Sequence, residues 1–350
     1  MMKPRNKPHK RSTAILLLMF VVLMASSCAR LGPVFRSLVT DTQEEKATKP
    51  LVFESKEYIV YRLEGNESPA WLAETFLKDR SQSWVIEDAN EGIPFEKGQM
   101  VIIPLKEQNK GGLTPQGYQV VPVLCYHHFD EDCHSSLCTP ISLFEEHMRY
   151  LKEEGYRVIP MRELLGFVNY ENALPQRAVV LTIDDGYRSA YDIAYPILKK
   201  HGFTATLFIY TDFVESSASA LTWDHLRAMK EGGFEVGSHT LSHCDLTKRR
   251  EGEDMDAYLA RIVRELRISK QIIDEQLNQD TMYLAFPYGE QNQRVLKLCE
   301  EVGYKLGFSV RKGGNPFFSD PLTLRRNQVL RKDMQSFTSR LRTFREFSLR

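Results

Sequence analysis

No glycine-rich phosphate loop follows any strand-like run in this 350-residue sequence, which argues against nucleotide binding. Six cysteines are present, yet none of their spacings is that of a structural zinc site. Basic excess is lacking too: 46 Lys and Arg stand against 46 Asp and Glu. The first 28 residues hold five of those basic side chains and no acid, so without them 41 face 46, a charge of −5. Nucleic-acid binding therefore has no electrostatic support. The apolar run from Ala14 to Met24, 11 residues, is too short for a comfortable membrane span. What is present is ordinary globular composition, 42% hydrophobic and 26% charged, at a length that allows two or three domains.

Lys3, Arg5, Lys7, Lys10 and Arg11 ahead of that apolar run read as a secretory signal. It ends Leu23, Met24, Ala25, Ser26, Ser27, Cys28, which resembles the lipobox of bacterial lipoproteins, with Ala25 where a branched apolar residue is usual. The resemblance implies a signal over residues 1–28, lipidation at Cys28, and a membrane-anchored lipoprotein facing the periplasm or cell surface. Cleavage without a lipid is the alternative. Residues 29–56 lack apolar periodicity and suit a tether. In an oxidising compartment Cys133 and Cys138, in a polar loop, are candidates for a local disulfide. Cys125, Cys244 and Cys299 lie in or beside apolar segments and read as buried thiols.

Residues 57–106 give a small α+β pattern: a strand at Tyr58 to Tyr61, a helical stretch with Trp71, Leu72 and Phe76, a second with Trp84, Val85 and Ile86, and a strand from Gln99 to Ile103 closed by Pro104. This βααβ order, with Asn90, Ile93, Pro94, Gly98, Gln99 and Pro104 at its end, resembles a LysM module, although Glu64, Gly65 and Asn66 replace the usual Gly-Asp. The resemblance implies binding to GlcNAc-containing glycans, peptidoglycan above all. The alternative is a packing module without a ligand. Residues 107–119, with Gly111, Gly112, Pro115 and Gly117, read as a linker.

From residue 120 to 350 one punctuation recurs: a helical pattern, a glycine with an aromatic neighbour, then a strand. It occurs at Gly155 and Tyr156, Gly202 and Phe203, Gly232 to Phe234, and Gly303 and Tyr304. Glycine ends each helix through a left-handed cap, and repeated αβ units mean a parallel sheet. Ser142 with Glu145 predicts a capping box. Strands over Val120 to Tyr126, Ala178 to Ile183, Ala205 to Tyr210, Phe234 to Val236, Met282 to Phe286 and Leu306 to Val310 fit an α/β fold, a distorted, closed or nearly closed (β/α) barrel. An open doubly wound sheet is the alternative.

Chemistry gathers at strand ends. Asp184 and Asp185 follow the buried-type run Val179 to Ile183, where Asp-Gly alone is most often a turn. His239 and His243, four apart after Val236, can aim two imidazoles at one point, and with a carboxylate they form a common catalytic-metal ligand set. Phe286, Pro287, Tyr288 and Gly289 make a tight turn able to present backbone N–H groups, and His127 and His128 follow Tyr126.

The stretches Thr182 to Gly186, His239 to His243 and Phe286 to Gly289, in that order, resemble the three motifs of the polysaccharide deacetylases with the NodB-type domain, carbohydrate esterase family 4. The resemblance covers about residues 118–350. It implies hydrolysis of N-acetyl groups. Asp185, His239 and His243 would hold one divalent metal, zinc first, with cobalt or nickel as alternatives. Asp184 would be the general base, and the backbone N–H of Tyr288 an oxyanion donor. Three features depart from the family pattern: Tyr283 to Phe286 lacks the arginine that orients the base, no Asp-Trp pair follows, and no histidine lies after His243. The subgroup acting on poly-β-1,6-N-acetylglucosamine looks circularly permuted, with its acid histidine after the first strand. His127 matches that place as general acid, and His128 is the substitute. The expected function is metal-dependent release of acetate from poly-N-acetylglucosamine or peptidoglycan. A catalytically silent glycan-binding envelope protein is the alternative from another class.

Overall fold

The structure is a computed structural model that describes residues 50–330 and 333–347; the signal, Cys28 and most of the tether lie outside the described residues. In the small domain β1 (Leu51–Glu54) and β3 (Met100–Pro104) flank β2 (Tyr58–Arg62) in an antiparallel sheet. Between β2 and β3 run α1 (Pro69–Leu72), continued by a wider turn over Ala73–Leu77, and α2 (Ser83–Ala89). β1 falls inside residues 29–56, so the expected tether stops short of Leu51. Its backbone completes the otherwise open edge of β2. Buried Asn90 bonds the carbonyls of Ile86 and Ile102 and the Ile102 N–H, tying α2 to β3.

The expected linker 107–119 also holds structure. β4 (Leu113–Thr114) and β5 (Gly117–Gln119) form a hairpin whose turn is closed by Thr114 Oγ1 accepting from Gly117 N at 3.2 Å. β6 (Val121–Tyr126) then leads into the parallel pair β7 (His128–Asp130) and β8 (Cys138–Pro140), with Cys133 and Cys138 joined as a disulfide. α3 (Ile141–Glu153), β9 (Arg157–Val158) and α4 (Met161–Val168) follow. The capping box expected at Ser142 and Glu145 is not formed. β8 runs straight into α3 through Pro140, Ser142 is already inside the first turn, and Glu145 pairs with Lys200 instead.

From β10 (Ala178–Asp185) helix and strand alternate: α5 (Tyr195–His201), β11 (Thr206–Ile209), α6 (Trp223–Glu231), β12 (Glu235–Ser238), α7 (Met255–Leu277), β13 (Tyr283–Ala285), α8 (Gln293–Val302) and β14 (Leu306–Phe308). Gly202 at φ 74° and Gly303 at φ 105° end α5 and α8 in the left-handed conformation expected of them. The strand order β14–β13–β12–β11–β10–β6 is parallel throughout.

The chain finishes with β15 (Gly314–Asn315), β16 (Asn327–Gln328), α9 (Met334–Thr338) and β17 (Phe344–Glu346), the last pairing with β5. Leu324 makes a parallel bridge to Phe308 of β14, while β16 pairs in parallel with β6. The segment from Leu324 to Gln328 thus joins both edges and curls the sheet into a distorted barrel rather than an open doubly wound sheet. Inside it pack Val121, Val123, Ala178, Val180, Phe208, Phe308 and Leu324, with Leu164 and Phe167 of α4 on the same cluster. Val179, Leu181 and Ile183, the alternate residues of β10, face outward against α3 and α5.

Candidate active site

The alternation along β10 decides where its carboxylates go. Ala178, Val180 and Thr182 line the interior, so Asp184 is the next inward residue, 1% exposed at the C-terminal mouth of the barrel. Asp185 breaks the pleat at φ 75° and turns its side chain to the mouth. There Asp185 Oδ1 lies 3.5 Å from His239 Nε2 and 3.4 Å from His243 Nε2. His239 directly follows β12, and its Nδ1–H donates to the Ala285 carbonyl at 2.7 Å, which leaves the Nε2 lone pair facing Asp185. The turn to His243 is held by Thr240 Oγ1 accepting from His243 N at 3.1 Å and by Glu265 accepting from the Ser242 N–H and hydroxyl. Thr240, His243 and Tyr288 share positive φ with Asp185, so half of the eight non-glycine residues in that region, among the described residues, stand at this mouth.

The three ligand atoms suit a small divalent cation. A tetrahedral site with bonds of about 2.0–2.1 Å separates its ligands by roughly 3.3 Å, close to the spacings found. The electrostatics agree. Burial and the charge of Asp184 push the Asp185 carboxyl up to about 7, while burial holds the His239 imidazole down at about 3. Neutral imidazoles beside a carboxylate in need of positive charge are the donor set a metal takes.

Asp184 is treated differently. Burial alone would raise its pKa, but the Arg326 guanidinium, followed by His239, holds it well below the usual carboxylate range. Arg326 is fully buried and grips the carboxylate with both arms, Nη1 to Oδ1 at 2.6 Å and Nη2 to Oδ2 at 2.7 Å. Arg326 also bonds Thr182 Oγ1 at 3.2 Å and lies over the Phe208 ring. The Cys125 thiol, which burial keeps protonated, donates to Asp184 Oδ2 at 3.4 Å. Neither Arg326 nor Cys125 was singled out from the sequence as part of the site. The missing arginine upstream of Pro287 was the signal that another had to be sought.

His127 joins this cluster: its ring nitrogen, Cys125 Sγ and an Asp184 oxygen lie within 4.8 Å of one another. Its buried Nδ1 has no hydrogen-bond partner among the described residues, and burial takes its pKa down to about 4, so it is neutral at pH 7. His128 is half-buried with its ring 5.2 Å from Tyr187 and belongs to neither cluster. Tyr288 is 62% exposed, its ring 4.9 Å from that of His243. Its turn needs Gly289, at φ 75°, where a Cβ would stand 2.6 Å from the Val310 nitrogen.

Comparison with known proteins supports a deacetylase fold. Residues 171–307 match the family model for polysaccharide deacetylase. YxkH of Bacillus subtilis (strain 168), assigned as a polysaccharide deacetylase, is 30% identical over 193 residues, 55% of this chain and 65% of that protein. The poly-β-1,6-N-acetyl-D-glucosamine N-deacetylase of Staphylococcus aureus (strain MRSA252) is 30% identical over 176 residues, 49% of this chain and 60% of that protein. The chain thus spans a little under two thirds of the length of these relatives. The solved structure of the Streptococcus pyogenes deacetylase PplD in complex with acetate superposes with a TM-score of 0.59 at 27% identity, over 65% of this chain and 99% of that one.

Proposed function

We propose that the protein is a metal-dependent N-deacetylase that releases acetate from GlcNAc-containing polysaccharide. One observation carries this reading: Asp185, His239 and His243 converge beside a second carboxylate, Asp184, that Arg326 keeps ionised. A protein that only held glycan would need no such pair of differently tuned carboxylates, which weighs against the silent-binding alternative.

Asp185, His239 and His243 would hold the divalent metal, zinc first and cobalt or nickel as alternatives. When bound, the metal supplies Lewis acidity, bringing the pKa of water to about 7 and polarising the acetyl carbonyl. Asp184 takes a proton from the attacking water, and Arg326 fixes the carboxylate for that transfer. His127 is neutral in the free protein, so it holds no stored proton to donate. The proton it delivers to the amide nitrogen as the C–N bond breaks is the one released by water and passed on by Asp184. The second water oxygen–hydrogen stays with the acetic acid, which ionises to acetate. The backbone N–H of Tyr288 faces the developing oxyanion.

For the substrate we favour poly-β-1,6-N-acetylglucosamine. His127 follows the first barrel strand as in the subgroup acting on that polymer, and the S. aureus relative bears its name. Peptidoglycan, held by the LysM-like small domain, is the second reading. Export and a lipid anchor at Cys28 complete the proposal. Acetate release from each polymer by metal-loaded protein is the test. We expect release from poly-N-acetylglucosamine; release from neither polymer would overturn the enzyme reading, and release from peptidoglycan alone would reverse the order of substrates.

A further inference from the structure

Arg326 reaches into the barrel, and its neighbours Arg325 and Asn327 on the same extended segment face the other way. There they line a cavity of about 770 Å³, outside the barrel, between β15, α9 and β17. Lys312, Arg325, Arg340, Arg342 and Arg345 also stand in its wall, against one carboxylate, Asp320. Arg325 and Arg340 direct their guanidinium N–H groups to Lys312 O and to Ser336, and Asp320 is engaged by the Leu322 N–H. None of the five cations has an ion-pair partner among the described residues, although ion pairs are common elsewhere in the fold. The sequence repeats the bias: residues 325–350 hold eight Arg and Lys against two acids, in a chain that over its full length has 46 of each. Five like charges around one concavity raise a positive potential that an anion relieves, and four of them are guanidinium forks suited to phosphate or carboxylate. Tyr118 and Phe318, in edge-to-face contact at 5.1 Å, add an aromatic wall, with Phe318 58% exposed. Such a wall offers an apolar surface to the C–H face of a sugar ring, and the volume is that of a small-ligand site.

We infer that this cavity is a second binding site, separate from the barrel mouth, for an anionic saccharide bearing phosphate or carboxylate. It is not a site for the proposed substrate or product, since poly-N-acetylglucosamine is neutral and its deacetylated form cationic. The test uses the full protein, calorimetric titration with glucose 6-phosphate, glucuronate and glucose, and sedimentation with anionic phospholipid vesicles. At least one of the two anionic sugars binds, more weakly as salt rises, and glucose binds about tenfold less well or worse. The exposed double variant Lys312→Glu with Arg342→Glu lowers that affinity at least about tenfold, while thermal unfolding stays unchanged. Comparison of the two sugars distinguishes phosphate from carboxylate as the recognised group. Equal binding of glucose, undiminished binding by the double variant, or capture by vesicles without binding of either anionic sugar would overturn the inference.

Discussion

Arg326 and Asp184 are both removed from solvent, and the ion pair between them closes with two hydrogen bonds. Removing one member leaves the other charge buried and unmatched, at a cost of about 3–5 kcal/mol. Arg326→Met is therefore expected to lower the urea-unfolding free energy by about that amount and to slow acetate release by about 100-fold or more, since the base loses both its charge and its orientation. Arg326→Lys restores the charge without the fork, so it should recover stability better than rate. A parent-like rate in Arg326→Met would remove the arginine from the site. Asp184, Asp185 and His239 were legible because each follows directly on a strand-forming run, His243 through its spacing from His239, and the resemblance of three short stretches fixed their grouping. Arg326 was not, because 142 residues separate it from Asp184 and two-residue β16 carries no periodic pattern around it. His147 also escaped notice, although its spacing with Phe144, Met148 and Leu151 sets it on the inner face of α3.

The element that completes the barrel is the irregular segment from Leu324 to Gln328. Asn315, itself buried, holds it in place: its Nδ2 donates to the carbonyls of Val121 and Arg325, and its Oδ1 accepts from Arg325 N at 2.8 Å. Truncating this side chain leaves three backbone groups short of a partner, at about 1–3 kcal/mol. Asn315→Ala should thus lower the urea-unfolding free energy by about that amount. Because Arg326 rides on the same segment, acetate release should fall further than the loss of folded protein accounts for; a rate that merely tracks the folded fraction would detach the segment from the chemistry. The repeating helix–glycine–strand units could be read along the sequence because each boundary has a local cause in a left-handed cap. The hairpin β4–β5, its partner β17 and the added strand β1 could not, since strands of two to four residues owe their existence to a neighbour's open edge. The absent capping box at Ser142 has the same origin, because the pairing of β7 with β8 sets where α3 begins.

At the scale of the molecule, the small domain docks on the barrel through charge. Arg157 of β9 pairs with Glu87 and with Asp88 at 3.4 Å, and Asp88 also accepts from Gln176 N at 3.2 Å. The βααβ order was legible in residues 57–106, but this docking was not, because a surface arginine looks the same in sequence whether or not a partner waits for it. The barrel also buries histidines in neutral form, with consequences for the whole fold. His147 bonds the Tyr126 hydroxyl at 3.2 Å and stacks on Phe337, and burial takes its pKa from 6.5 down to about 3. A pKa depressed in the folded state means that the unfolded chain binds the extra proton more readily. Stability is full above pH 6.5 and is lost as the pH falls from there towards 3, on the order of 5 kcal/mol from this group. Urea unfolding across that window should show the decline, and His147→Gln should flatten it; an unchanged slope in the variant would assign the acid sensitivity to other groups.

The division of labour between the adjacent carboxylates is tested most directly by measuring bound metal and acetate release together in Asp184→Asn and Asp185→Asn. Asp184→Asn should keep its metal, because Asp185, His239 and His243 remain, and yet release acetate at least about 100-fold more slowly. Asp185→Asn should lose both metal and activity. Asp184→Asn that works like the parent, or Asp185→Asn that retains a full complement of metal, would contradict the assignment of base and ligand.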